Sequence, residues 1–243
     1  MAARQVRAVL AAAFLASSLL GLPSRAQIAV SAAATSNYQY RGVTLSDGKP
    51  ALSLNIAYDP AIGAYAGAAL IAVQTESSGI QGLGHVEYTG YAGRLKSGLN
   101  WDVGVTNTQV TNYYRQKYKY DIAEAYAGIR GRHLNYYLYY SPNYYRAGVN
   151  TLYAQISGSV RIARPWRVFG NVGALTSLGG GGYGVFREQY DLGVGVAADL
   201  KVAEVQLAVT TRGPDVVYLA DHPQSRHAIV LSATHYFERP HWT

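Results

Sequence analysis

The sequence contains no cysteine, which excludes a disulfide framework and a thiolate metal centre. Charge is scarce as well: Asp, Glu, Lys and Arg make up 14% of residues, against about 25% in ordinary soluble domains. That is too little to coat a water-facing surface, so a secreted soluble barrel with an apolar interior and a charged exterior fits poorly. Long apolar runs are confined to the start of the chain. Arg4 and Arg7 give a basic opening, Ala8 to Leu22 are almost wholly apolar, and Ser24-Arg25-Ala26 offers small residues where a signal peptidase inspects them. The run is short against the about 20 residues of a spanning helix, so residues 1–26 are expected to be a cleaved signal peptide. Beyond residue 27 no 3.6-residue period stands out, and a mean hydropathy of −0.04 is wrong for a helical membrane protein.

What is present is alternation. Leu152, Ala154, Ile156, Val160 and Ile162 oppose Tyr153, Gln155, Ser157, Ser159 and Arg161; Leu52, Leu54, Ile56 and Tyr58 oppose Ser53, Asn55 and Ala57. Leu99, Trp101, Val103 and Val105 stand against Asn100, Asp102, Gly104 and Thr106, and Ala203, Val205, Leu207 and Val209 against Glu204, Gln206, Ala208 and Thr210. Ile229, Leu231, Ala233 and Phe237 share one face of a last segment, although Val230 and His235 break the division. Period two is that of strands, and each segment is near the 9 to 11 residues or so of a tilted strand crossing a bilayer. The fold expected is all-β: a closed antiparallel transmembrane β-barrel over residues 27–237, followed by a short tail, 238–243.

Strands are placed near 28–41, 50–59, 64–74, 83–93, 98–108, 117–130, 132–141, 149–162, 166–176, 187–198, 202–212 and 225–237, twelve in all with ten as the second choice. An even count leaves both ends of the mature chain in the periplasm. Short connections (59–63, 94–97, 163–165, 199–201) alternate with long ones (75–82, 109–116, 141–148, 177–186, 213–224) rich in Gly, Ser, Asn and Pro, which assigns the short set to the periplasm. Tyr38, Tyr40, Tyr113, Tyr114, Tyr140, Tyr144 and Tyr145 beside the long loops, with Trp101, Trp166 and Phe237 nearer the other rim, read as two aromatic girdles. Strand propensity of tyrosine is the competing explanation, and the positions favour the girdles.

Asn37-Tyr38-Gln39-Tyr40-Arg41-Gly42-Val43, with Ser46-Asp47-Gly48-Lys49-Pro50-Ala51 after it, resembles the opening signature of the Gcw_chp family of proteobacterial outer-membrane proteins, also called the TorF porin family. Ala64-Tyr65-Ala66-Gly67, Glu87 to Gly93, Trp101 to Val105 and Glu124 to Gly128 match in order, so the resemblance spans essentially the whole mature chain. It implies an outer-membrane channel without an agreed substrate and brings no catalytic residues. Two departures stand out: Ala66 to Val73 are small and apolar where a more polar strand is expected, and Glu238 to Thr243 follow the terminal aromatic. Phe237, rather than Trp242, is taken as the assembly signal because it shares the face of Ile229, Leu231 and Ala233.

The polar faces direct Arg41, Glu87, Asp102, Glu124, Arg130, Arg161, Arg167, Arg187, Asp191, Glu204, Arg212 and Arg226 into the lumen. Unpaired burial of these would be very costly, so they line either a hydrated pore or a salt-bridged plug. Inner glycines such as Gly104, Gly128, Gly173, Gly193 and Gly195 remove bulk and favour an opening, or let strands bend. Gly179 to Gly182 lack the Gly-Lys-Ser/Thr of a phosphate loop. Asp221, His222 and His227 are a weak metal set, and Ser225 near His227 lacks the orienting acid and oxyanion donors of a hydrolase.

The expected function is a porin or channel for small hydrophilic solutes, the alternative a closed structural or interaction barrel presenting Tyr-rich basic loops. Enzymatic activity and cofactors are not expected. The net charge is +7, and losing Arg4, Arg7 and Arg25 leaves 18 basic against 14 acidic residues, about +4. Partners expected are outer-membrane lipid and lipopolysaccharide, small solutes, and the periplasmic chaperones and barrel-assembly machinery of export. Nucleic acid is not among them.

Overall fold

β-Branched and aromatic residues alternating with small or polar ones build fourteen strands: β1 (Gln27–Thr35), β2 (Gln39–Tyr40), β3 (Val43–Thr44), β4 (Ala51–Asp59), β5 (Ala64–Thr75), β6 (Gly79–Arg94), β7 (Asn100–Asn112), β8 (Tyr118–Arg130), β9 (Leu134–Ser141), β10 (Asn150–Ala163), β11 (Trp166–Gly179), β12 (Gln189–Asp199), β13 (Glu204–Gly213) and β14 (His227–Tyr236). The computed structural model describes residues 27–60, 62–75, 79–112, 118–145, 147–179, 188–214 and 225–237. Twelve strands form one closed barrel in which each pairs with its chain neighbour and β1 pairs with both β4 and β14. Closure satisfies every edge and removes the template for aggregation that an open sheet presents. The expectation of twelve strands holds, and the second choice of ten is not needed.

The outer surface is apolar. Leu52, Leu54 and Ile56 on β4, Val194 and Val196 on β12, Leu207 and Val209 on β13 and Leu231 on β14 are all about half exposed. Tyr58, Tyr91, Tyr136, Trp166 and Phe237 stand outward at the end of the short turns, with Trp101 stacked on Tyr91 at 5.7 Å. The backbone amide of Phe237 donates to Val30 at 3.0 Å, which ties the terminal aromatic to β1.

The first strand departs from expectation. It ends at Thr35 instead of running to residue 41, and the chain then turns inward as the β2–β3 hairpin. The reason is local. Arg41 and Gly42, with φ of 50° and 71°, are the two central residues of a two-residue turn between Tyr40 and Val43, and positive φ at both positions suits such a hairpin. Tyr38 and Tyr40 continue the even-numbered phase of Ile28 to Ala34, so alternation runs past the end of β1; the turn itself shifts the phase, since Tyr40 pairs with Val43 three residues on.

Tyr38, Tyr40, Tyr144 and Tyr145 are consequently not girdle residues: all four are buried inside the barrel. Tyr113 and Tyr114 lie outside the described residues. Outward at the long-loop end stand Tyr140 and Tyr190.

Inside, the barrel has two chemistries. Toward the long loops, Ala69, Ile71, Val73, Leu83, Val86, Val110, Ile122 and Leu175 form one buried cluster with Tyr38, Tyr40, Val43 and Leu45 of the hairpin and its return and with Tyr144, Tyr145 and Val149 of the β9–β10 loop. This accounts for the apolar run Ala66 to Val73: its inner members are the wall against which the hairpin packs. Toward the short turns the inner face is polar and charged.

The inner glycines do not widen the lumen. A Cβ on Gly128 would lie 2.4 Å from the Tyr137 ring, one on Gly104 2.5 Å from the Tyr126 hydroxyl, and one on Gly195 2.6 Å from the Phe169 ring. Each aromatic is the register partner of its glycine on the next strand. Gly173 is filled by Tyr153 and Asp191, and Gly193 by Asn171. The glycines make room for side chains laid flat along the wall.

Candidate functional site

The hairpin is held first by its own side chains. Tyr38 donates its amide to the Ser46 hydroxyl at 2.8 Å, Thr44 donates to the Asn37 side chain at 2.5 Å, and the Gly48 amide donates to Thr44 at 3.0 Å. Asp47 and Gly48, with φ of 52° and 72°, close the return toward β4. Asn37, Thr44 and Ser46 thus clamp the base of the turn that carries Arg41.

At the tip, Arg41 Nη2 donates to Glu124 Oε1 at 2.7 Å and the Tyr40 hydroxyl donates to Glu124 Oε2 at 2.7 Å, so both carboxylate oxygens of Glu124 on β8 receive the hairpin. The guanidinium lies over the rings of Tyr153 at 3.8 Å, Tyr40 at 4.8 Å, Tyr144 at 5.3 Å and Tyr139 at 5.4 Å. On the far side, a Cβ on Gly42 would come within 3.0 Å of Arg212 Cβ and 3.1 Å of Asp191 Cβ. The tip therefore touches β8, β10 and the β12–β13 wall together and bridges the lumen. The space left beside Arg41, bounded by Tyr88, Thr106, Glu124, Tyr126 and Gln155, is about 20 Å³, room for about one water.

Around and below this level the buried carboxylates are held by arginines or by neutral donors. Asp102 accepts from the hydroxyls of Tyr65 and Tyr137, the latter at 2.7 Å, and faces Arg130 at 3.6 Å. Asp191 accepts from Tyr153 at 2.8 Å and Asn171 at 2.9 Å; Glu204 meets Arg167 at 2.6 Å and Gln206 at 2.5 Å. Among the described residues the buried ionic side chains are Asp102, Glu124, Asp191 and Glu204 against Arg41, Arg130, Arg167 and Arg212. Equal numbers of each sign fit a packed interior, where an uncompensated charge is very costly.

The remaining sequence-predicted lumen residues fall elsewhere. Arg161 lies at the short-turn rim, where it pairs with Asp199 at 3.3 Å with both side chains partly exposed. Arg226 precedes β14 and is exposed. Glu87 is a correction: it points outward, its side chain 63% exposed. The inner residues of β6 are Val86, Tyr88 and Gly90, as their pairing opposite Ala69, Gly67 and Tyr65 requires, so the rule that charge goes inside fails on this strand. Arg187, Asp221, His222 and the stretch 180–182 lie outside the described residues. Sequence reasoning missed the tyrosines Tyr65, Tyr137, Tyr139 and Tyr153 as lumen groups. The signal available was that the inner glycines Gly90 and Gly128 have Tyr65 and Tyr137 at their register positions, whereas Tyr139 and Tyr153 pair with each other.

The family model described as "Bacterial protein of unknown function (Gcw_chp)" matches residues 22–225. The chain belongs to that family. The residues on which the Gcw_chp resemblance rests most specifically, 37–51, are those that build the inward hairpin. No curated protein matches the chain. Among solved structures, the trimeric in-vitro folded OmpT, an outer-membrane protein of Vibrio cholerae, is similar at 7% identity, covering 88% of this chain and 99% of that one with a TM-score of 0.37. The translocator domain of the autotransporter NalP from Neisseria meningitidis is similar at 13% identity, covering 86% and 87%, with a TM-score of 0.41. A closed barrel apolar over most of its outside is the β architecture compatible with lipid.

Proposed function

We propose that this Gcw_chp protein spans the outer membrane as a barrel closed at rest by its own first surface loop, and that it serves as a non-catalytic structural or interaction barrel at the cell surface. The observation that carries this reading is the seat of Arg41. A guanidinium held by Glu124, ringed by tyrosines and braced across the lumen fills the space at the hairpin tip and supports a closed barrel. The expectation of a standing pore is weakened by the same contacts.

A second reading has one observation in its favour. The short-turn half of the lumen is polar, and the Arg161–Asp199 pair stands open at its mouth, so a small hydrophilic solute could use the barrel once the hairpin withdraws.

Planar-bilayer recording of the refolded protein separates the two. The closed reading expects a silent parent and discrete current steps after deletion of residues 39–44. Regular openings in the parent, with ion selectivity altered by Arg161→Glu, would overturn it in favour of the channel.

A further inference from the structure

Ten of the barrel strands turn small and apolar residues to the outside over most of their length; β7 does not, and neither does β6. Its outward residues above Tyr91 are Thr89, Glu87 and His85, and their register partners on β7 are Val105, Asn107 and Gln109. On β5 the partners are Ala66, Ala68 and Leu70. The result is a contiguous polar patch, His85, Glu87, Thr89, Asn107 and Gln109, bordered by alanines.

Its height can be placed. Glu87 is four residues from Tyr91 in the aromatic rim, about 13 Å along a strand at about 3.3 Å per residue, or roughly 10 Å along the axis of a tilted barrel. An apolar band about 25 Å tall puts that near the middle. Beyond the patch β6 becomes apolar outside again at Ile80, 63% exposed, while on β8 the exposed Asp121 stands opposite Gln109 and extends the patch toward the long loops. The carboxylate of Glu87 has one polar neighbour on its own chain among its described contacts, His85 Nε2 at 3.9 Å. Lipid tails offer it nothing, and in a membrane small residues flanking hydrogen-bonding side chains form the surfaces along which proteins meet.

We propose that the β6–β7 wall is the interface with a second copy of this chain. The patch is self-complementary: it holds an acceptor carboxylate, an imidazole and the two-way groups of Thr89, Asn107 and Gln109, so a two-fold axis through it sets the His85 of one copy against the Glu87 of the other. Ala66 and Ala68 permit the close approach. An anionic lipid headgroup is the poorer occupant, because Glu87 repels it. The inference rests on the barrel spanning a bilayer and is independent of whether the lumen conducts.

The chain has no cysteine, so single cysteines report contacts directly. Thr89→Cys and Asn107→Cys proteins, oxidised in native outer membranes, are expected to give a covalent dimer of this chain. Val194→Cys on β12, six strands away round the ring, is expected to give none. The double variant His85→Leu/Glu87→Leu, still folded by its heat-modifiable gel mobility, should run as a monomer where the parent runs as a dimer. A parent monomeric in mild detergent with no cross-link at Thr89 or Asn107, a cross-link to a different protein, or equal cross-linking at Val194 would each overturn the interface. An environment-sensitive dye on Val194→Cys keeps the two failures apart: a blue shift in vesicles means the barrel sits in lipid and only the interface is wrong, and no blue shift removes the bilayer reading itself.

Discussion

The guanidinium carbon of Arg41 lies 3.8 Å from the ring centre of Tyr153, and the hydroxyl of that tyrosine donates to Asp191. One ring thus joins the hairpin to β10 and β12, while Glu124 holds it to β8. Arg41→Ala leaves Glu124 buried without its cation, and we expect a loss of about 3–5 kcal/mol in urea unfolding of the refolded barrel. Arg41→Met with Glu124→Met should cost less than the two single changes together, since neither charge is then left alone. An Arg41→Ala barrel as stable as the parent would show that the pair does not anchor the hairpin.

Gly42→Ala tests the turn. Its φ of 71° costs an alanine roughly 1–2 kcal/mol, and its Cβ would also meet those of Arg212 and Asp191 near 3 Å. Gly148, with a φ of 77° and open space around it, carries only the dihedral cost. We therefore expect Gly42→Ala to be the more destabilising and to speed trypsin cleavage after Arg41, whereas equal behaviour of the two variants would remove the crowding argument.

Gly128→Ala and Gly82→Ala form a second contrast. The first drives a methyl into the Tyr137 ring, an overpacking cost of about 1–3 kcal/mol; the second meets nothing within 4 Å and should stay within about 0.5 kcal/mol of the parent. Thermal unfolding followed by gel mobility reads both. Tolerance of Gly128→Ala would mean that the glycines serve strand bending rather than aromatic seating.

Val194→Arg asks whether the outer face meets lipid. On a lipid-facing wall near mid-height arginine costs about 2–4 kcal/mol, whereas on a wetted surface it is nearly neutral. Unfolding in vesicles should show the loss, and its absence would count against the bilayer.

Much of the architecture could be read from alternation, because the difference between lipid and lumen is imposed at every second residue. Leu152 to Ile162 and Leu99 to Val105 face outward as expected, and the short turns fall where composition put them. The hairpin was hidden because Tyr38 and Tyr40 keep the phase of Ile28 to Ala34 on the strand before them, and the shift at Val43 does not by itself read as a turn. Glu87 was misplaced because polarity was used to assign the face, where register with Gly67 and Ala69 decides it. Asp102, Glu124, Asp191 and Glu204 were legible as inner charges, but their tyrosine partners on other strands depend on register across the barrel, which no single strand encodes.

The apolar cluster around Tyr38, Val43 and Leu45 has a mechanical consequence. An empty cylinder of sheet flattens easily under sideways load, while one filled to the density of a protein interior has little compressibility and passes strain from wall to wall. At the height of the hairpin this barrel is filled, so a push on β8 is felt at β12 through Glu124, Arg41, Tyr153 and Asp191. On the proposed membrane-spanning reading it is a stiff post in a fluid sheet, whose cross-section there stays round when the lipid around it thins, thickens or curves.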